Sequence, residues 1–302
     1  MRDNPHNTNI KNQNMCQDLQ KRVDELKLMA SDLTKFSEDE VRKIISSILP
    51  QIPLFICDFE KGRIIERAVS NNSLENLHTN VERLSFKPAD LNDKLQRASI
   101  INDTMFYGSV LFLGNKEINY ERIIGSFEAC GLIRENEDGD EIMSFGQWTV
   151  IDQISFVTII DPLKKYKNEY LKTLQEQQNK YFSQSIKESS CLEIILDFHS
   201  FLADEFSKDV NKAENHNYLI SSVTANIFKT HGYGVYYPSV QIMGEGMCVA
   251  IPPGMTSRII LEKILVCKIS KRGKSIEISN QKIAILKDKT NEIIYFDVQY
   301  LK

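Results

Sequence analysis

Arg97 and Tyr107 stand ten positions apart, on either side of a turn-forming stretch, Ile-Ile-Asn-Asp at 100–103, with Met-Phe-Tyr at 105–107 reading as a strand. A hairpin there brings a planar fork of donors and a flat apolar face with a polar tip to one mouth. That pairing suits a nucleotide better than a neutral metabolite, although Arg and Tyr also flank ordinary hairpins. Glu128 sits among Ile123, Ile124, Phe127 and Cys130 in a helical stretch. It stands either at a helix edge or half-buried, and half-burial demands a partner because an unpaired buried charge is costly. Ser239 follows the strand-like run Val235-Tyr236-Tyr237 and Pro238, and a second run, 247–251, stops at Pro252-Pro253. Its hydroxyl either caps a turn in a surface hairpin or sits at a strand end, on a loop of the kind that carries function.

The elements that must position these groups follow the hydrophobic pattern. Residues 1–14 are Asn-rich and read as disordered. Leu19, Val23, Leu26 and Met29 then recur at helical spacing, and Ser37 with Glu40 forms a capping box before a second helix stopped by Pro50. This hairpin packs on the main domain or serves as a dimer or partner-binding module. Two short β-type runs surround the Lys61-Gly62 turn, with Arg67 pointing out of the second as a solvated surface group. Residues 134–141 read as an acidic loop, 148–160 as one continuous strand, and 163–187 as a polar helix, exposed or a lid over a cleft. A further helix, 192–206, carries His199 as a core residue. Residues 217–228 form a helix, and beyond 253 the alternation, broken at 272–274 and 288–289, makes an antiparallel meander.

Composition narrows the class of function. The chain has 302 residues, 42% of them hydrophobic and 26% charged, with a formal net charge of −4. That describes a globular protein without a global basic field, so direct nucleic-acid binding is not expected. No run reaches membrane-spanning length and no signal-peptide core opens the chain, which points to a cytoplasmic protein. Cysteines 16, 57, 130, 191, 248 and 267 form no CxxC pair and read as reduced core thiols, with no metal site. Neither GxGxxG, a P-loop, HExxH nor GxSxG is present.

Taken together these motifs resemble the RES domain, a family named after an arginine, a glutamate and a serine. The resemblance rests on Arg97 followed by Tyr107-Gly108-Ser109 and on the helix bearing Glu128. It continues from Asn217-Tyr218 to the segment Gly-Tyr-Gly-Val-Tyr-Tyr-Pro-Ser at 232–239, and closes on Met-Cys-Val-Ala-Ile-Pro-Pro at 247–253. It covers about residues 60–255. Two departures stand out: the interval from Tyr107 to Glu128 is long, leaving Glu121 as a competing carboxylate, and Gln96-Arg97-Ala98 replaces the usual Gly-Arg-Trp.

The resemblance implies an α+β fold whose mixed sheet core is similar to the ADP-ribosyltransferases, with NAD as substrate rather than cofactor. Residues 1–52 would be a tail and helical segment, 53–256 the catalytic domain, and 257–302 a β-rich extension on the same domain. It implies an NAD glycohydrolase or phosphorylase, a toxin in some members, held by a helix-turn-helix antitoxin or other inhibitor protein, with a homodimer also allowed. Arg97, Glu128 and Ser239 would form the catalytic set. Tyr107, Arg67 and Tyr237 would bind substrate, Arg67 as a second phosphate contact, and no metal would be needed. Transfer of ADP-ribose to a macromolecule, or nucleotide binding without catalysis, are the other readings.

Overall fold

The computed structural model describes residues 5–110, 125–126, 128–186, 189–211, 214–239, 246–287 and 292–298. Helices α1 (Pro5–Met29) and α2 (Glu38–Ile48) form the expected hairpin. Leu19, Val23, Leu26 and Met29 of α1, and Val41, Ile45 and Ile48 of α2, are all buried. The capping box holds: Ser37 N donates to Glu40 Oε2 at 2.8 Å, and Glu40 N to Ser37 Oγ at 3.4 Å. One expectation is corrected, because residues 5–14 continue α1 rather than standing outside it. Pro5 fits that start, since the first helical position needs no backbone N–H and its fixed φ suits a helix.

Among the described residues ten strands build one sheet: β1 (Ile56–Phe59), β2 (Ile64–Asn71), β3 (Phe106–Val110), β4 (Gly139–Val150), β5 (Ile154–Thr158), β6 (Gly234–Pro238), β7 (Met247–Ile251), β8 (Ile259–Arg272), β9 (Ser275–Leu286) and β10 (Ile293–Asp297). Their order is β1-β5-β6-β7-β3-β2-β4-β8-β9-β10, antiparallel except for the β5–β6 pair. Three long helices, α3 (Glu169–Ser185), α4 (Ser189–Phe206) and α5 (Leu219–Thr230), make the crossover between β5 and β6. The architecture is the expected α+β class, a mixed sheet with an N-terminal helical hairpin and C-terminal strands. The meander β8–β10 continues the same sheet through β4.

Side-chain alternation decides which helices cover which face. Val157, Val235, Tyr237, Cys248 and Ala250 point into a core shared with α1, α2, α4 and α5. Phe106, Phe156, Tyr236, Val249 and Ile251 point the other way, toward Leu171 and Leu174 of α3. The helix read as an exposed element or lid is therefore a structural cover, with Gln178 Nε2 donating to the Ile160 carbonyl at 2.9 Å. His199 is a core residue, its Nε2 3.0 Å from the Pro53 carbonyl, and burial pushes its pKa down to about 4.

Three local expectations change. The run 148–160 is broken at 151–153 into the end of β4 and all of β5. The acidic stretch 134–141 is not wholly a loop, since Gly139, Asp140 and Glu141 open β4. Cys16 and Cys191 are bonded to each other, whereas Cys57, Cys130, Cys248 and Cys267 stand outside any disulfide. Packing of α1 against α4 brings those two Cα atoms to 5.3 Å, a proximity that a separation of 175 residues hides. Among the described residues no helix is long and apolar enough to cross a membrane.

Candidate functional site

A cleft opens where β2 and β3 part. Among the described residues the two strands pair at Ile65 with Val110 and at Glu66 with Ser109. Tyr107 has no partner on β2 in this register, and its carbonyl accepts a bond from Arg67 Nη1 at 2.8 Å. The resulting cavity has a volume of about 560 Å³, within the usual range for small-molecule sites. Its walls come from β2, β3, the inner ends of β6 and β7, the helical residues Gly125, Glu128 and Ala129, the loop at 92–97 and the segment at 209–218. Gly108 keeps the wall thin, because a Cβ there would lie 2.4 Å from Ile65 Cγ2 and 3.2 Å from the Glu66 carbonyl.

Glu128 has the partner its apolar surroundings demand. Ser239 is fully buried just past β6, and its backbone N–H donates to the Gly246 carbonyl at 2.8 Å. Its hydroxyl donates to Glu128 Oε1 at 2.6 Å, a short bond of the charge-assisted kind. Cys248 Sγ stands 4.0 Å from the same oxygen. Burial, reinforced by the charge of Glu128, pushes the Cys248 thiol well above its ordinary range, so it stays neutral rather than becoming a nucleophilic thiolate. Burial likewise raises Tyr237 well above a normal phenol. Glu128 lines the cavity; its Oε1 is held by Ser239, and its Oε2 makes no hydrogen bond among the described residues.

Arg97 and Tyr107 lock the chain reversal between them. Ala98 N donates to the Tyr107 hydroxyl at 3.1 Å, and Ser99 Oγ lies 2.8 Å from it. Burial pushes the phenol up to about 12, so it is a neutral donor and acceptor throughout the physiological range. Arg97 is buried. Its Nη1 donates to the carbonyls of Phe206 and Lys208, closing the C-terminus of α4, where a cation is favoured by the helix dipole. The guanidinium also lies 5.2 Å over the Tyr218 ring. Those contacts use one of its nitrogens. Nε and Nη2 have no hydrogen-bond partner among the described residues.

Of the residues singled out from sequence, Arg67, Arg97, Tyr107, Glu128 and Tyr237 all line this one cavity. Ser239 does not; it stands behind Glu128 and acts on the cavity through that carboxylate. Glu121 lies outside the described residues. Arg67 is corrected from a solvated surface group to a half-buried one, because the parting of β2 from β3 leaves its side chain inside the cleft. Sequence reasoning missed buried Glu66, which lines the cavity, and Asn92, which shapes its rim. Asn92 Nδ2 donates to the carbonyls of Lys94 at 3.1 Å and Ile100 at 2.8 Å, and its Oδ1 accepts from Gln96 Nε2 at 2.8 Å. The legible signal for Asn92 was its turn-forming type beside Arg97; Glu66 left none, since a polar residue in a strand usually faces solvent. Among the described residues no cluster of His, Cys, Asp and Glu could hold a metal ion. No protein-family model matches the chain, and no curated protein matches it.

Proposed function

We propose that the chain is a RES-like enzyme that consumes NAD by cleaving the bond between nicotinamide and ribose. The observation that carries this reading is a carboxylate, Glu128, fixed through one oxygen by a buried serine, in a cavity shared with two arginines and three tyrosines. Heterolysis of the C–N bond sends its electron pair to the pyridinium nitrogen, which becomes neutral, and leaves an oxocarbenium-like ribose. Glu128 stabilises that positive charge and orients the acceptor, while its bond to Ser239 spares it from reorganising as charge develops. Water adds its oxygen to the anomeric carbon and loses a proton, giving ADP-ribose; phosphate as acceptor gives the sugar phosphate instead. Arg97 presents Nε and Nη2 to the pyrophosphate. Tyr107, its hydroxyl already engaged, offers its ring as a wall, and Tyr237 lines the floor.

No metal enters this mechanism, and NAD is substrate rather than cofactor. The reading places the protein in the cytoplasm, where its substrate is. It allows a toxin role restrained by a helix-turn-helix antitoxin or similar inhibitor, with α1 and α2 available for a homodimer or partner. The test is a mass-spectrometric assay of purified protein with NAD, with and without phosphate. Nicotinamide release is expected, lost in Glu128→Gln at unchanged folding. Label from NAD appearing on macromolecules instead would show transfer, and binding without turnover by a folded protein would remove the enzymatic reading.

A further inference from the structure

A second cavity, of about 540 Å³, opens between the edge strand β1, the turn leading into β2 and one side of α3. It shares no lining residue with the cleft described above. Its volume also falls within the range of small-molecule sites. Tyr170, Thr173, Leu174 and Gln177 reach it from α3, at the steps that put side chains on one side of a helix. Its apolar part is made by buried Phe59 and Leu174 with half-buried Cys57, and on its wall the Tyr236 hydroxyl donates to the Tyr170 hydroxyl at 3.1 Å. Arg63 is the polar group that this part of the fold leaves unmatched. It is half-buried, with its guanidinium 5.3 Å over the Phe59 ring. Its Nε is buried, and among the described residues the guanidinium has neither a hydrogen bond nor an ion pair. The main chain nevertheless holds the residue firmly. Arg63 N donates to the Glu60 carbonyl at 3.1 Å, and the Arg63 carbonyl accepts from Val150 N at 2.9 Å. Desolvated donors without acceptors cost free energy, and a planar fork of them on a fixed backbone suits an oxyanion that can take two at once.

We propose that this cavity is a second ligand site, for an organic monocarboxylate with an apolar body. Arg63 takes the carboxylate through paired N–H donors, and the body lies against Phe59 and Leu174. The charged residues of the lining are two acids, Asp58 and Glu60, and two bases, Lys61 and Arg63, so there is no net positive field to hold a dianion. One carboxylate matches the single open fork, whereas the second charge of a phosphate finds no further cation left over. The two cavities have separate walls, so capture of such a ligand stands whatever the first cavity does.

Fluorine NMR titration of 4-fluorobenzoate into the full chain tests this directly. A ligand of about ten non-hydrogen atoms should bind with a Kd on the order of 1 mM or tighter. Neutral 4-fluorobenzamide and dianionic 4-fluorophenyl phosphate should each bind at least about tenfold more weakly, the amide because it gives up the charge-assisted pair. Arg63→Met should weaken the carboxylate by about tenfold or more, and Arg63→Lys should recover part of that loss. Iodoacetamide alkylation of the unaltered protein, mapped by peptide mass, locates the site without any variant, since 4-fluorobenzoate should slow the alkylation of Cys57 on the cavity wall. Equal binding of carboxylate and amide, tighter binding of the phosphate, unchanged carboxylate affinity in a folded Arg63→Met, or alkylation of Cys57 that ignores the ligand would overturn the site.

Discussion

Removing the Ser239 hydroxyl tests the arrangement of the site without reference to any substrate. Ser239 is fully buried and its Oγ lies 2.6 Å from Glu128 Oε1, so Ser239→Ala takes the hydroxyl donor from that carboxylate and leaves it only the weak Cys248 thiol at 4.0 Å among the described residues. Hydrogen bonds to charged groups contribute about 1.5–3 kcal/mol, and that is the expected loss of stability. In a Glu128→Gln background the same bond is neutral, and its loss should cost only about 0.5–1.5 kcal/mol. The double-mutant cycle should therefore report a coupling of about 1–1.5 kcal/mol between the two positions. Urea unfolding followed by the fluorescence of the single tryptophan, Trp148, buried in β4, gives the four free energies. A Ser239→Ala cost below about 0.5 kcal/mol, or an equal cost in both backgrounds, would refute the reasoning that serine holds the carboxylate.

Three further outcomes are expected. His199 is neutral in the fold, with a pKa near 4 against an ordinary 6.5, so the folded state binds fewer protons and its contribution is lost as pH falls from about 6.5 to 4. At 1.36 kcal/mol per unit that amounts to about 3 kcal/mol, and a His199→Gln variant whose stability curve runs parallel to the wild type over this range would exclude the account. Gly108→Ala places a Cβ against Ile65 Cγ2, 2.4 Å away, and should cost about 1–3 kcal/mol by urea unfolding. The penalty should shrink in an Ile65→Ala background; additivity would show that the contact relaxes. The chain denatured without reductant should titrate four thiols, with a Cys16–Cys191 peptide in its digest, and reduction should lower stability by roughly 2–4 kcal/mol. Six reactive thiols before reduction would contradict the pairing.

Much of the scaffold is readable locally. Helical spacing of Leu19, Val23 and Leu26, the Ser37–Glu40 cap, and the two runs flanking Pro238 each state their structure within a few residues, because backbone hydrogen bonding and capping are short-range. Two readings fail where the deciding contact lies far from the residues that were read. The break at 151–153 exists because Ile151 N and Asp152 N both donate to the Arg258 carbonyl, turning the chain out of β4. Glu141 belongs to a strand yet caps a helical turn, accepting from Gly131 N at 2.9 Å and Leu132 N at 3.3 Å, so an acidic residue in a seeming loop has a structural task.

By itself the sequence determined the kinds of groups available to the site and the elements that carry them: an arginine and a tyrosine across one reversal, a glutamate on a helix, a serine at a strand end. Tertiary structure alone decided how they meet. Sheet order put β3 between β7 and β2, and the early parting of β2 from β3 opened the cavity and turned Arg67 into it. Packing set Ser239 behind Glu128 instead of beside the cavity, and joined Cys16 to Cys191. The reason is physical: propensity and capping are settled between neighbours in sequence, whereas burial and charge pairing depend on which distant segments the core draws together.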